Sequence, residues 1–447
     1  MASIAAPTAA HSAAPGRALY VETYGCQMNV ADSELILGSL AARGYRAVRS
    51  ADEADVILLN TCAIREHAEE RVAQRVRQLI AERHGRRVRV GLAGCMAQHH
   101  RDRLLEAIPG LDFVVGPDGY RRLPDLLDAD EPVAAVQLDR RETYEDLVPM
   151  RSGGVRAWLT IMRGCDRFCT FCVVPLVRGR ERSLPAAVLI EELRRIAHQG
   201  FREVVLLGQT VNAYRHGNVG FGELLRMACE VEGIERIRFT SPHPADFDEA
   251  SIAAMRDCNK LCPYVHLPLQ SGSDRILEAM QRGHTVAQYV DLVARLREAM
   301  PGVALSTDII VGYPGETDED FERTSALMES IGFDHAFLFK YSAREGTRAF
   351  KLEETVSEQE KGRRLERLIA EQQTRALRVH QALIGSVTEV LVEKPARRQE
   401  GWLSGRNPQF RRVVFEPADA GAAVGDLVQV AVEAATSHTL LGRQMTP

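Results

Sequence analysis

Three cysteines stand within positions 165–172 of the stretch "TIMRGCDRFCTFCVVP": Cys165, Cys169 and Cys172. Thiolates spaced this tightly let one loop wrap a metal cluster and ligate three of its irons, whereas saturated ferredoxin-type clusters use four cysteines. The next cysteine, Cys229, lies 57 positions on, in "FGELLRMACEVEG", a segment of helical pattern. A zinc knuckle would need a fourth Cys or His close by, and none stands within a dozen residues. A cluster on these three thiolates therefore keeps one iron open to an exogenous ligand. S-adenosylmethionine can chelate such an iron through its amino and carboxylate groups, and electron transfer then splits its sulfonium into a 5′-deoxyadenosyl radical. Phe171, an aromatic residue just before the last cysteine, fits that chemistry.

A second trio, Cys26, Cys62 and Cys95, is spread over gaps of 36 and 33 positions. Each closes an apolar strand: "ALYVETYGC", "ADVILLNTC" and "RVRVGLAGC". Helical stretches follow, from Asp32 to Arg43, in "REHAEERVAQRVRQLIAERHG" and in "MAQHHRDRLLEAI". This alternation predicts a parallel sheet with right-handed crossovers. The carboxyl ends of such strands line one crevice, where ligands bind, so the fold brings the trio together. Three buried core thiols are the plainer reading. Their common register, with Gly25 and Gly94 ahead of two of them, favours a metal site, and a three-thiolate zinc site is the rival.

From 156 to about 340, strands near 157–162, 203–208, 236–240, 264–269, 304–311 and 335–341 alternate with helices near 185–199, 221–231, 246–257, 273–281, 286–300 and 318–330. Six βα units predict an incomplete barrel, whose chemistry sits at the strand C-termini. Gln209, Asn212, His243, Gln270, Ser271, Ser273 and Asp308 fall there and are candidates, with Phe171, to line a cofactor and substrate cavity. Ser273 could equally cap a helix. Cys229, Cys258 and Cys262 read as core residues.

Residues 357–384 are helical in pattern, and short strands follow: "VTEVLVEK", "WLSGR", "RRVVFE", "DLVQVAV" and "HTLLGR". Gly and Pro punctuation predicts a small antiparallel barrel. Within 391–415, Lys394, Arg397, Arg398, Arg406, Arg411 and Arg412 outnumber Glu393 and Glu400, with Trp402 and Phe410 interleaved. That composition suits a phosphate backbone and stacked bases, although basic edges are often only solvated. A further basic run, Arg71 to Arg89, reads as an exposed helix face.

The net charge of −5 gives no global case for nucleic acid, so any such binding is local. Nine cysteines without a secretory signal point to a reducing compartment, hence the cytoplasm. No apolar run approaches the roughly 18 to 20 residues of a membrane span. Residues 1–17, without a charged or bulky apolar region, read as a disordered tail.

"TYGCQMNVADSE", "NTCAIREHAEERV", "GLAGCMAQ", "RGCDRFCTFCVVPLVRGRERS", "TSPHP", "LPLQSGS" and "STDIIVGYPGET" resemble the methylthiotransferase family of radical S-adenosylmethionine enzymes. The resemblance runs from about residue 18 to the C-terminus. It implies a mixed α/β chain of three parts: a cluster-binding parallel-sheet domain over 18–135, a radical S-adenosylmethionine domain with a partial (βα)6 barrel over 150–376, and a TRAM RNA-binding barrel over 379–445. It also implies two 4Fe–4S clusters, one on Cys26, Cys62 and Cys95 and one on Cys165, Cys169 and Cys172, with S-adenosylmethionine used as both methyl donor and radical source. The reaction implied is replacement of a C–H by C–S–CH3.

"TYGCQMN" and "NTCAIRE" are most similar to the branch that acts on isopentenyladenosine just 3′ of the tRNA anticodon. Sibling branches act on threonylcarbamoyladenosine in tRNA or on a ribosomal-protein aspartate. A non-catalytic iron–sulfur or zinc RNA-binding protein is the alternative of another class. Thr210 in "GQTVNAY" departs from the Asn usual in relatives. Implied partners are the tRNA anticodon stem-loop, an electron donor such as flavodoxin and an unassigned sulfur donor; a monomer is expected.

Overall fold

The computed structural model describes residues 16–63, 66–83, 85–418 and 421–446, without the side chains of residues 66–68. Of the expected tail, residues 1–15 lie outside the described residues, and Arg17 is pinned to Asp128 at 2.6 Å.

The N-terminal part contains β1 (Ala18–Thr23), α1 (Gln27–Ala41), β2 (Arg46–Ala47), β3 (Val56–Thr61), α2 (Glu66–Ala81), β4 (Arg89–Gly94), α3 (Cys95–His100), α4 (Arg103–Ala107), β5 (Phe113–Val115), α5 (Leu123–Asp128) and β6 (Val133–Ala135). They form one parallel sheet in the order β2-β1-β3-β4-β5-β6. The central strand "VILLNT" is buried throughout, as a parallel strand covered on both faces should be. The sheet exceeds the expected three strands because β2, β5 and β6 are too short to show a period.

Two helix boundaries differ from expectation. The first helix starts at Gln27 rather than Asp32, with Cys26 as its N-cap, and Cys26 N–H donates to Asn29 Oδ1 at 3.3 Å. The third splits into α3 and α4 at Arg101, whose φ is +57°.

The middle part runs β7 (Arg156–Thr160), β8 (Met162–Arg163), α6 (Val174–Arg178), β9 (Arg182–Ser183), α7 (Ala186–His198), β10 (Glu203–Leu207), β11 (Arg215–His216), β12 (Val219–Gly220), α8 (Phe221–Cys229), β13 (Arg236–Phe239), α9 (Glu249–Asp257), β14 (Tyr264–His266), α10 (Asp274–Ala279), α11 (Val286–Ala299), β15 (Ala304–Val311), α12 (Asp318–Ile331) and β16 (His335–Lys340). Parallel sheets β7-β10-β13 and β14-β15-β16 are linked by a single bridge, Ile237 to Leu261. These are the six strands expected, arranged as an open barrel.

The period of two along β10 shows what closes it. Val204 and Leu206 join the core beneath the helices. Val205 and Leu207 instead pack on Met28 and Ala31 of α1, beside Cys26 and Trp158. The N-terminal part thus covers the open barrel, and each apolar side chain so buried contributes about 1.5–3 kcal/mol.

The helix α13 (Glu358–Gln381) leads into a closed barrel of β17 (Val387–Pro395), β18 (Leu403–Arg406), β19 (Arg412–Glu416), β20 (Leu427–Ala435) and β21 (Leu440–Gln444). Val390, Val392, Val413, Phe415, Val430, Val432 and Leu440 fill it. One ladder corrects the all-antiparallel expectation: β19 and β21 run parallel and close the barrel.

A polar seam docks this barrel on the middle part. Glu203, buried at the start of β10, accepts from Arg156 and Arg238. Arg238 also donates to the carbonyls of Asn407 and Pro408, and Arg236 to that of Arg406. Phe410, at φ +66°, receives the guanidinium groups of Arg406, Arg238 and Arg156 at 4.1, 4.9 and 5.3 Å.

Candidate functional site

The first trio meets at the carboxyl edge of the N-terminal sheet. Cys26 caps α1, Cys62 follows β3 and Cys95 opens α3. The chain closes so tightly here that a Cβ on Gly25, at φ +141°, would come within 2.7 Å of Cys62 Cβ. Only glycine tolerates that backbone beside that contact.

The Cys26 thiol is pulled down to about 6, first by its hydrogen bond with Cys62 and then by the charge of Arg178, against the opposing effect of burial. Burial raises Cys95, which Arg178 opposes. Arg178 Nε donates to Cys95 Sγ at 3.1 Å, and its Nη1 lies 2.7 Å from Asp32. Asp32 also receives Arg163 at 3.0 Å and Tyr120 Oη at 3.2 Å. Two buried cations face one buried carboxylate, and the surplus positive charge favours thiolates nearby.

The second trio sits on the loop after β8. Cys172 N–H donates to the Cys169 carbonyl at 3.0 Å, which tightens the loop. Cys165 Sγ is 3.0 Å from Thr210 Oγ1 and accepts from the Arg167 N–H at 3.3 Å. Arg282 donates to Cys169 Sγ at 3.4 Å and to the Pro268 carbonyl at 2.9 Å. Burial pushes the Cys172 thiol up to about 12. Helix α6 joins the two sites: it begins two residues after Cys172, and its Val177 packs with Val173, Ala63 and Cys95.

None of the nine cysteines is joined in a disulfide. Among the described residues, neither trio has its three sulfurs all within 4.8 Å of one another. Tetrahedral zinc with bonds of about 2.3 Å would hold sulfurs about 3.8 Å apart. Both donor sets are all-thiol and wider than a single ion needs, which fits a polynuclear cluster.

Beside the second trio are buried polar atoms without a partner: Gln209 Oε1, His243 Nε2, Arg282 Nε and both ring nitrogens of His284. Burial, then Arg282, depresses His243 to about 2 and His284 to about 4, so both rings are neutral at physiological pH. Such a set suits a polar ligand at the loop. Gln270, at φ +76°, brackets the end of β15 through its backbone, and Asp308 faces His266 at 3.4 Å. Phe171 packs beside Tyr313 and Met280.

Other expected lining residues spend their side chains on protein partners. Asn212 exchanges two hydrogen bonds with the His243 backbone, and Ser271 accepts from the Ser273 N–H. Ser273 Oγ donates to Asp320 at 2.6 Å instead of capping α10. Cys262 is buried, while Cys229 and Cys258 are half-buried at the core margin.

The basic set divides. Lys394, Arg397, Arg398 and Arg412 are exposed. Arg406 and Arg411 are turned into the seam, Arg406 over Phe410 and Arg411 onto Asp334. This corrects their expected place on an RNA-facing surface: Arg406 is drawn to Glu393 of its own barrel at 3.6 Å, and Arg411 to Asp334 of the middle part. Phe410, already stacked by arginines, offers no free face to a base.

Sequence reasoning missed Arg178, Asp32 and Arg282, and treated Thr210 only as a departure. "VPLVRGRERS" held the one available signal, a cationic residue soon after a cysteine loop.

Three family models match: Uncharacterized protein family UPF0004 over 18–116, the Radical SAM superfamily over 159–328 and the TRAM domain over 381–444. A protein of Prosthecochloris aestuarii named tRNA-2-methylthio-N(6)-dimethylallyladenosine synthase is 44% identical over 434 residues, covering 96% of this chain and 98% of its own length. Proteins of the same name from Chlorobium phaeovibrioides and Porphyromonas gingivalis are 44% and 43% identical, covering 96% and 94% of their lengths and 96% and 95% of this chain. Among solved structures, the radical S-adenosylmethionine methyltransferase TsrM of Kitasatospora setae aligns with a TM-score of 0.57 at 14% identity, over 87% of this chain and 81% of that one. At that identity the likeness concerns the fold alone. The near full-length similarity, carried by the same segments that hold the two thiol trios, places this chain in the tRNA-2-methylthio-N(6)-dimethylallyladenosine synthase family.

Proposed function

We propose that the chain replaces the C2–H of N6-isopentenyladenosine, just 3′ of the tRNA anticodon, by a methylthio group. Two all-thiol trios flanking one short helix carry this reading. When bound, a 4Fe–4S cluster on Cys165, Cys169 and Cys172 supplies the electron that splits S-adenosylmethionine, and one on Cys26, Cys62 and Cys95 presents the sulfur. 5′-Deoxyadenosine would carry away the hydrogen, and a second S-adenosylmethionine would supply the methyl group.

The protein's part is placement. Thr210 and Arg282 orient Cys165 and Cys169, while Arg178 and Asn29 hold Cys95 and Cys26. Gln209, with the neutral rings of His243 and His284, offers hydrogen bonds without competing charge; Gln270 and Asp308 border the same edge. Lys394, Arg397, Arg398 and Arg412 bind the tRNA backbone. The working units are 18–135, 150–376 and 379–445. A monomer in the cytoplasm, served by an electron donor such as flavodoxin, belongs to the same reading. Among the described residues no helix is long and apolar enough to cross a membrane.

The test is anaerobic incubation of cluster-loaded protein with S-adenosylmethionine, reductant and isopentenylated tRNA, then mass spectrometry of the nucleosides. A gain of one methylthio group, lost in Cys62→Ala and Cys165→Ala, supports the proposal. 5′-Deoxyadenosine without that gain refutes the substrate, and neither product from fully loaded protein refutes the enzyme.

A further inference from the structure

We propose that Glu69, His99 and His100 form a mononuclear zinc site that fastens α2 and α3 to the loop at Glu345. One ligand atom from each lies within 4.8 Å of the others, so modest side-chain rotation would bring them to the edge of about 3.3 Å that ligand bonds of about 2.0–2.1 Å define in a tetrahedron. A carboxylate with two imidazoles is a borderline donor set that suits zinc.

The hydrogen bonds around the site show which lone pairs are free. His99 Nε2 is 2.9 Å from the Glu345 carbonyl oxygen. A carbonyl only accepts, so Nε2 carries the proton and Nδ1 presents its lone pair. That Nδ1 is buried without a partner, and so is Glu69 Oε1. An imidazole that spends one N–H on a backbone carbonyl and aims its other nitrogen inward is arranged as metal-ligating histidines usually are. His100 Nε2 donates to Glu69 Oε2 at 3.2 Å, and with its proton moved to Nδ1 it would turn its lone pair to the same ion.

Two buried acceptors are thus left without a donor, and each needs something that accepts electron density or donates a proton. A cation does the first. Among the described residues, Arg344, 3.9 Å from Glu69 Oε2, is the only cation beside this carboxylate other than His100, and it does not reach Oε1. The rival occupant is a water donating to both acceptors.

The site is distinct from the thiol trios. Glu69 stands on α2, and His99 and His100 stand on α3 beyond Cys95, so the ligands come from two segments of the N-terminal part and the ion would pin one helix to the other. The hydrogen bond from His99 to the Glu345 carbonyl carries that clamp on to the loop after β16.

Full-length, cluster-loaded protein would be given one equivalent of zinc, gel-filtered, and examined for metal content and zinc K-edge absorption fine structure. The expected result is about one zinc per chain in a shell of nitrogen and oxygen only, with outer scattering from two imidazoles. Zinc should fall away in His99→Gln and Glu69→Gln, with about eight irons per chain retained. A sulfur-containing zinc shell would mean that the ion occupies a thiol trio and overturns the proposal. So would wild-type protein that retains no zinc, which leaves the water in place.

Discussion

Arg178 Nε donates to Cys95 Sγ at 3.1 Å across 83 positions of sequence, from the helix behind one cysteine trio to a thiol of the other. Arg178 is itself held by Asp32 at 2.7 Å, both groups being fully buried. A charged donor on a ligating sulfur draws electron density from it and eases reduction of the group it holds. Arg178→Gln should therefore shift the reduction potential of the Cys26–Cys62–Cys95 centre to more negative values and leave the other centre in place. Potentiometric EPR checks this. Asp32→Asn should lower the melting temperature more than Arg178→Gln does, because it leaves both Arg178 and Arg163 buried without their carboxylate, whereas Arg178→Gln leaves Asp32 paired with Arg163.

The split of the basic residues gives a salt test. Alanine at Lys394, Arg397, Arg398 and Arg412 together should flatten the dependence of tRNA affinity on salt, each lost phosphate contact reducing the log–log slope by about 0.7–0.9. Arg411→Ala should leave that slope unchanged and lower the melting temperature instead. Equal slopes for the quadruple variant and wild type would remove this face from RNA binding.

Glu203 anchors the seam. Burial alone would raise its carboxyl, but Arg238 and Arg156 more than reverse this and hold it below the usual range. Glu203→Gln leaves the buried Arg238 without its carboxylate, while Arg156 keeps Glu393 at 2.7 Å, at a cost of about 3–5 kcal/mol. Calorimetry should show the C-terminal barrel melting apart from the rest, and limited proteolysis should cut near 381–387.

Glu34 behaves oppositely. Burial pushes its carboxyl up to about 7, only partly countered by Arg151, and its Oε2 has no hydrogen-bond partner. The folded chain thus binds the proton more tightly than the unfolded chain does. Stability should fall as pH rises from about 4.5 to 7 and stay level above, the loss amounting to about 3 kcal/mol. Glu34→Gln should abolish that slope. Melting curves across pH 5 to 8 that run parallel for the two proteins would count against it.

Much of this organisation was legible in the sequence because it rests on period and position. Strands ending at Cys26, Cys62 and Cys95 announce a shared sheet edge, and the tight loop announces the second trio. What escaped was polar and long-range. Arg178 and Asp32 meet from distant segments, and neither has a periodic neighbour to betray it. Arg406 and Arg411 carry the composition of a nucleic-acid surface, yet Glu393 of the same stretch, with Glu203 and Asp334 of the middle part, draws that corner inward, and only the fold brings the last two near. β2, β5 and β6, of two or three residues each, have no pattern to read.

The packing of Met28 and Ala31 on Val205 and Leu207 has an architectural consequence. A barrel with a missing wall is a socket, and its apolar lining accepts whatever module presents a matching ridge. Here the ridge is the first helix after Cys26, so the contact that closes the socket also fixes how far apart the two thiol trios stand. Span is set by helix packing rather than by a tether. Two methyl groups added at Ala31, as in Ala31→Val, would act at a distance, prising apart the two thiol trios without touching either.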